Sequence, residues 1–375
     1  MTDKEQMSKN ISIVTWLGYG NYGTSLQSYS LHRKLKDLGY NVNILSEYSY
    51  TGKSSISERI SNLLRQIKFN TRLYYLQSTK LQKLHKFQKE KYNRKFILTG
   101  TQFEDMLTHT DVFITGSDQI WNTEHHYLPF MFLDFAGDVK RVAYASSIGT
   151  NNIPEKYRDK VKNHLAKFSK IGVREKTAVK ILSELLDRND ITQVADPTFL
   201  LTPKDWEDVS QEAFFEKEMP SKYILCYFIG NRPEYAEYLK EIKHTYGVDN
   251  VLLIPSKETP NIHLNDVTIY NDAGPCEFVR LIKDASVICT DSFHATALSM
   301  NFSKNFVVFK RFADSDTSSQ NSRIYDLLNE FGLSTRIYAP DVKDWKNIIQ
   351  YTEIQKAINE KRTSSLNFLI NAIEY

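Results

Sequence analysis

Ser286-Val-Ile-Cys-Thr-Asp-Ser-Phe-His-Ala-Thr-Ala-Leu-Ser-Met300 constrains the fold more than any other stretch. The run from Val287 to Thr290 reads as a short buried strand, and it passes without a loop into a helix that begins near Asp291. Such a turn exposes the first backbone N–H groups of the helix, which have no partner inside it, and the helix dipole adds partial positive charge. A phosphate or carboxylate fits there. His294 falls in that first turn, and a histidine beside an anion can move a proton near neutral pH. A second reading stays open on this stretch alone: Asp291 or Ser292 caps the helix and His294 is a packed polar residue.

The same strand-to-helix alternation runs along the chain. Ile11 to Leu17 is a β-rich run, followed by Gly18-Tyr-Gly20-Asn-Tyr-Gly23, a helix with Leu31, Leu35 and Leu38 on one face, and a second strand from Val42 to Leu45 with Glu47 beyond it. On paper this is a dinucleotide-binding unit. The glycines equally suit any α/β protein that brings backbone close to a ligand. Val112 to Thr115 ends in Gly116-Ser-Asp-Gln-Ile-Trp-Asn122, where Asp118, Gln119, Trp121 and Asn122 combine polar groups with an aromatic face, as sugar sites do. The alternative is a capped turn with Trp121 in the core. Arg141 to Ile148 and Lys170 to Val173 are further strands. Arg174, at the carboxyl end of the latter, is either an anion clamp or the partner of Glu175.

Asp196-Pro197 and Thr202-Pro203 punctuate the chain like an inter-domain linker. A second series follows: strand Tyr223 to Ile229, helix 233–245, strands at Val251 to Ile254 and Val267 to Tyr270, a helix opened by Gly274-Pro275, and a strand from Phe306 to Phe309. A polar loop over 313–322 is bracketed by Arg311 and Arg323, both within reach of an anion near His294.

At 375 residues two domains are the default. Three scattered cysteines, Cys226, Cys276 and Cys289, form no metal spacing and no disulfide framework, which fits a reducing cytosol. No metal site is legible, and the adjacent His125-His126 pair is poorly placed to share one ion. The polar N-terminus does not read as a signal peptide, and no window approaches a membrane span. Net charge is only +3, yet residues 59–95 hold eleven Lys/Arg and the single acid Glu90. This basic amphipathic segment suits an anionic membrane surface, a polyanion, or plain solvent. Nucleic acid is disfavoured, because no binding motif accompanies the charge.

Several blocks, taken in order, resemble the polysaccharide pyruvyl transferase family from about Ile11 to about Arg336: Gly20-Asn-Tyr-Gly23 with Leu26-Gln27, Gly116 to Asn122, Phe132-Leu-Asp-Phe135, Tyr144 to Gly149, Val173-Arg-Glu175, Ala195-Asp-Pro197, Asp291-Ser-Phe-His294 and Asn321-Ser-Arg323. The resemblance implies an α/β fold with two Rossmann-like domains facing across a cleft, similar to the B-type glycosyltransferase fold. Residues 1–200 would form the acceptor domain, with a basic helical insertion at about 55–95. Residues 201–345 would form the donor domain, and helices over 346–375 would cross back to the first. It implies phosphoenolpyruvate as co-substrate with no tightly bound cofactor. The acceptor would be a sugar, free or linked to a lipid diphosphate. The product would be a pyruvate ketal, often 4,6-linked on a hexose of a bacterial surface polysaccharide.

By position, His294 is the family's active-site histidine and Arg174 its donor-binding arginine, with Ser292, Phe293, Arg311 and Arg323 completing the donor side. Gly20, Asn21, Tyr22, Gln27, Asp118, Gln119, Trp121 and Asn122 are the acceptor candidates. Ser292 is a departure, since some members carry arginine there. Work on a lipid-linked acceptor would place the protein in the cytoplasm, peripheral at the inner membrane face through residues 59–95. Three competing readings remain: a nicotinamide oxidoreductase using Gly18, Gly20, Gly23 and Glu47, a nucleotide-sugar glycosyltransferase, and a non-catalytic carbohydrate-binding protein.

Overall fold

A computed structural model describes residues 8–17, 20–52, 55–70, 78–124, 126–216, 218–256, 264–313 and 319–375. Gly18, His125, and 314–318 of the polar loop lie outside the described residues.

The first lobe runs β1 (Asn10–Val14), α1 (Tyr22–Asp37), β2 (Asn41–Leu45), α2 (Ile56–Asn70), α3 (Thr79–Lys91), β3 (Arg94–Lys95), α4 (Gly100–His109), β4 (Val112–Thr115), β5 (Lys140–Ser146), α5 (Glu155–Leu165), β6 (Lys170–Val173), α6 (Lys176–Leu186) and β7 (Thr192–Gln193). Its strands form one parallel sheet in the order β3-β2-β1-β4-β5-β6-β7. The central strands are buried, in keeping with the apolar residues Ile11, Ile13 and Val14 of β1 and Val112 to Ile114 of β4.

The second lobe runs α7 (Pro203–Ser210), β8 (Ile224–Phe228), α8 (Tyr235–Tyr246), β9 (Val251–Pro255), β10 (Thr268–Ile269), α9 (Pro275–Asp284), β11 (Val287–Thr290), α10 (Phe293–Asn301), β12 (Asn305–Val308) and α11 (Ser322–Glu330). Its parallel sheet has the order β10-β9-β8-β11-β12. Each sheet reverses strand order once, between β1 and β4 and between β8 and β11. In such sheets ligands bind beyond the carboxyl ends at the reversal.

The Asp196–Pro203 run is packed rather than free. Asp196 caps the turn Pro197–Phe199, Thr202 and Asp205 form a reciprocal cap on α7, and Asn301 Nδ2 donates to Thr198 O and Leu201 O. The lobes also meet through α1 and α9: the Tyr22 ring stacks on Phe278 at 4.6 Å and its hydroxyl donates to Ala273 O. The last helix, α12 (Tyr351–Glu374), begins on the second lobe, where Gln355 Nε2 donates to Met300 O. It ends on the first, where Glu374 meets Lys9 and Tyr40, and Ser365 Oγ accepts from Ala195 N–H.

The basic segment divides in two. On α3, Lys80 donates to Pro255 O and Ser256 O across the lobes, Lys83 pairs with Glu277 at 3.0 Å, and Lys91 pairs with Glu212. These three charges of the basic segment join the lobes rather than face an outside partner. Among the described residues no helix is long and apolar enough to cross a membrane.

Candidate active site

Both strand-order reversals aim at the same place. The β11–α10 turn carries Asp291, Ser292, Phe293 and His294. Ser292 is the cap, its Oγ accepting from Ala295 N–H, whereas Asp291 turns back and accepts from the backbone of Ile229 and Gly230. His294 is thereby fixed in the first turn, 7 % exposed, with no hydrogen-bond partner for Nε2. Its ring lies on the bare backbone of Gly23 in α1: a Cβ there would stand 2.2 Å from Nδ1. The third glycine of the Gly-x-Gly-x-x-Gly pattern therefore makes room for an imidazole, and that face is closed to a dinucleotide's pyrophosphate.

Asp196 joins the two lobes chemically. Its side chain is fully buried. Oδ2 lies 2.9 Å from Arg174 Nη1, accepts from Ser117 Oγ at 3.2 Å, and stands 3.7 Å from His294 Nε2. The last distance is too long for a hydrogen bond, so this contact is electrostatic. Oδ1 accepts from the amide and hydroxyl of Thr198. Burial alone would raise the Asp196 pKa, but His294, Arg174 and the Thr198 amide outweigh it and hold the carboxyl well below the usual range.

Arg174 is the candidate clamp. It pairs with Glu175 at 3.1 Å as well as with Asp196, and its guanidinium lies 4.2 Å over the Phe293 ring. The pairing with Glu175 is thus realised, and the buried Nη2 has no partner. Arg323, in the first turn of α11, is 8 % exposed and donates to Gln320, with no carboxylate pair among the described residues. Burial, then the charge of Arg174, lowers its pKa to about 10. It stays protonated at neutral pH. Turning the Gln119 amide lets its oxygen accept from Arg323 Nη1 at 3.0 Å, which ties the β4 loop to the second lobe.

Asp118 stands at the carboxyl end of β4 with a left-handed backbone, accepting from Thr24 Oγ1 at 2.7 Å and from the Gln119 amide. Burial pushes its pKa up, but His294 and Arg174 prevail and the net shift is downward. Arg311 is half-buried beside Gly230 and Asp291, its guanidinium 5.1 Å from the Phe312 ring, at the rim of the cluster.

The other acceptor candidates fall elsewhere. Trp121 is in the core, stacked on Phe132 with Nε1 donating to Met131 O, so it offers no face to a sugar. Tyr22 is spent between the lobes. Gln27 is fully buried and holds the loop, accepting from Ser117 N–H and donating to Thr15. Asn122 is buried against the Gln119 side chain. Asn21 caps α1 and is exposed, next to Gly20 with φ +84°. Asp196, Glu175 and Thr24 were not singled out as site residues. Asp-Pro reads as a turn, and only its place among the family blocks hinted at more.

A crevice beside the cluster, bounded by Arg174, Phe293, Arg323 and Leu327, leaves about 20 Å³, room for a single water. Small-molecule sites run to ~300 Å³ and above, so this crevice is too small to hold a substrate as it stands.

Two parallel-sheet lobes with their carboxyl ends facing define a two-domain, Rossmann-like α/β protein similar to B-type glycosyltransferases. Among solved structures it resembles a glycosyltransferase of Rickettsia africae, at 12 % identity over 98 % of this chain and 99 % of that one, with a TM-score of 0.50. It also resembles a Listeria monocytogenes protein described as a UDP-N-acetylglucosamine 2-epimerase, at 10 % identity over 98 % and 96 %, with a TM-score of 0.51. These likenesses concern the fold. No curated protein matches the chain. The model of the polysaccharide pyruvyl transferase family matches residues 21–311, and the chain belongs to that family.

Proposed function

We propose that this transferase moves the enolpyruvyl group of phosphoenolpyruvate onto two hydroxyls of one sugar. The product is a pyruvate ketal, 4,6-linked on a hexose of a bacterial surface polysaccharide or its lipid-linked precursor. One observation carries the reading. Two buried guanidiniums, one with an unpartnered Nη2 and one without a carboxylate among the described residues, converge with His294 at a helix tip. Buried guanidinium N–H groups that no carboxylate takes up are costly to leave unpaired, and an anionic ligand supplies their acceptors.

The donor carries a phosphate and a carboxylate, which suit Arg174, Arg323 and the first turn of α10. A proton delivered to C3 makes C2 electrophilic, and one sugar hydroxyl adds there, losing its own proton. The C2–O bond to phosphate then breaks and the second hydroxyl closes the ring, its proton leaving with inorganic phosphate. The two hydroxyl protons thus account for the new methyl hydrogen and the protonated phosphate. His294 is the group placed to move them, and Asp196 and the backbone of Gly23 fix its ring. Asp118, on the opposite lobe, faces the acceptor.

The test is release of inorganic phosphate from phosphoenolpyruvate across galactose-, glucose- and N-acetylmannosamine-terminated acceptors. Acceptor-dependent release is expected. Release of a nucleoside diphosphate from a nucleotide sugar, with phosphoenolpyruvate left intact, overturns the reading in favour of a glycosyltransferase. Sugar binding with neither release points to a non-catalytic protein.

A further inference from the structure

Helix α2 turns an apolar stripe to solvent. Ile60, Leu63, Leu64 and Ile67 fall at i, i+3, i+4 and i+7, the spacing of one apolar stripe, and such a stripe ordinarily faces a core. Here the four are 55, 42, 60 and 49 % exposed. The polar residues Glu58, Arg59, Ser61 and Arg65 are exposed as well, and Asn62 alone among the described side chains of the helix is half-buried. Arg59 lies 4.8 Å from the Tyr50 ring, Arg65 lies 5.3 Å from the Tyr48 ring, and Glu58, Asn62 and Arg65 line a polar cavity shared with Glu47 and Asp134. Elsewhere among the described residues, exposed large apolar side chains are scattered along the chain, and only α2 gathers four.

We infer that the outward stripe of α2 seats the protein on an anionic lipid surface. Charge selects this occupant. The helix carries Arg59, Arg65 and Lys68 against one acid, Glu58, which is engaged at its own N-terminus by Ser55. Helical spacing puts positions 59 and 68 at the two borders of the stripe, and both are basic in the sequence. An apolar stripe with basic borders is the pattern of helices that lie in the headgroup boundary. A second copy of the chain fits less well. One helix with four half-exposed aliphatics is small against the ~800 Å² per partner of a standard protein interface, whereas shallow insertion needs no more than such a stripe.

Position agrees with this. α2 lies over the loop that follows β2, and the cavity beneath it reaches Pro129 and Phe130, in the segment that continues from Asp118 and Asn122. The lipid-facing stripe and the cluster around Asp118 therefore share the carboxyl edge of the first sheet. The inference concerns where the protein sits, and its failure leaves the proposed chemistry untouched.

The experiment is flotation of the full chain with phosphatidylcholine vesicles, with and without phosphatidylglycerol. Wild-type protein should rise with the phosphatidylglycerol vesicles. A Leu63→Ser/Leu64→Ser/Ile67→Ser variant, with unchanged thermal unfolding, should lose more than about tenfold of the bound fraction, since burying one aliphatic side chain is worth about that factor. Lys86→Glu/Lys89→Glu, on the exposed side of α3, should float as wild type does. No flotation of wild type overturns the inference, as does flotation that survives in the triple variant or is lost in the α3 variant. A concentration-dependent dimer in sedimentation that the triple variant abolishes overturns it in favour of a second copy. Inorganic phosphate release from phosphoenolpyruvate, measured with a soluble acceptor, reports on the chemistry separately.

Discussion

The β1–α1 turn of one lobe and the β11–α10 turn of the other are built on the same local plan. Each passes from a buried strand into a helix whose first turn is capped by a side chain, Asn21 in one and Ser292 in the other. Their contributions differ. The β1–α1 turn gives up side-chain volume at Gly23, and the β11–α10 turn fills that volume with His294. Asp196 stands between them and pairs with Arg174 from the end of β6. The lesson is that the same local geometry can supply either bare backbone or an imidazole, and contact between lobes fits one to the other.

The largest effect expected is from His294→Ala. The protein should fold, and phosphate release should drop by ~10²–10⁴-fold. A rate near wild type would mean that the β11–α10 turn carries no chemistry.

Asp196→Asn tests the bridge. Breaking a buried pair from one side costs about 3 kcal/mol, read in denaturant midpoints. The sign of its pH dependence follows from its depressed pKa. The folded protein holds this carboxylate ionised, so its stabilisation is present above the unfolded value of about 4 and is lost as pH falls through the lower folded value. Wild-type stability should decline in that acid window, and the variant should decline less.

Gly23→Ala sharpens the comparison most directly. Its backbone is helical, so alanine is not strained there. The added methyl meets the imidazole, and displacing a reacting group by about 1 Å costs ~10²-fold in rate. The accompanying loss of stability should vanish in a Gly23→Ala/His294→Ala double variant. Persistence of that loss would show that the glycine serves something other than His294. Ser292→Ala removes only a cap and should cost about 1 kcal/mol in thermal unfolding.

The fold was legible because parallel strands covered on both faces read as unbroken apolar runs, as Val112 to Thr115 and Val287 to Thr290 do. The two-residue edge strand Arg94–Lys95 gave no such signal, because an edge needs little apolar surface. In the candidate cluster, the positions of His294 and Arg174 just beyond strand ends were legible. Asp196 was hidden by its proline, since Asp-Pro announces a turn whether or not the carboxylate also faces a cleft. Trp121 misled for the opposite reason. Polar neighbours gave it the character of a sugar platform, while Phe132 and Phe168, distant in sequence, draw it into the core.

One consequence follows from α12. A 24-residue helix, ~36 Å long, is fastened to one lobe near its start and to the other at its end. A strut of that kind forbids simple separation of the halves. Any opening that leaves both anchors in place is a pivot about the rod rather than a parting of the lobes.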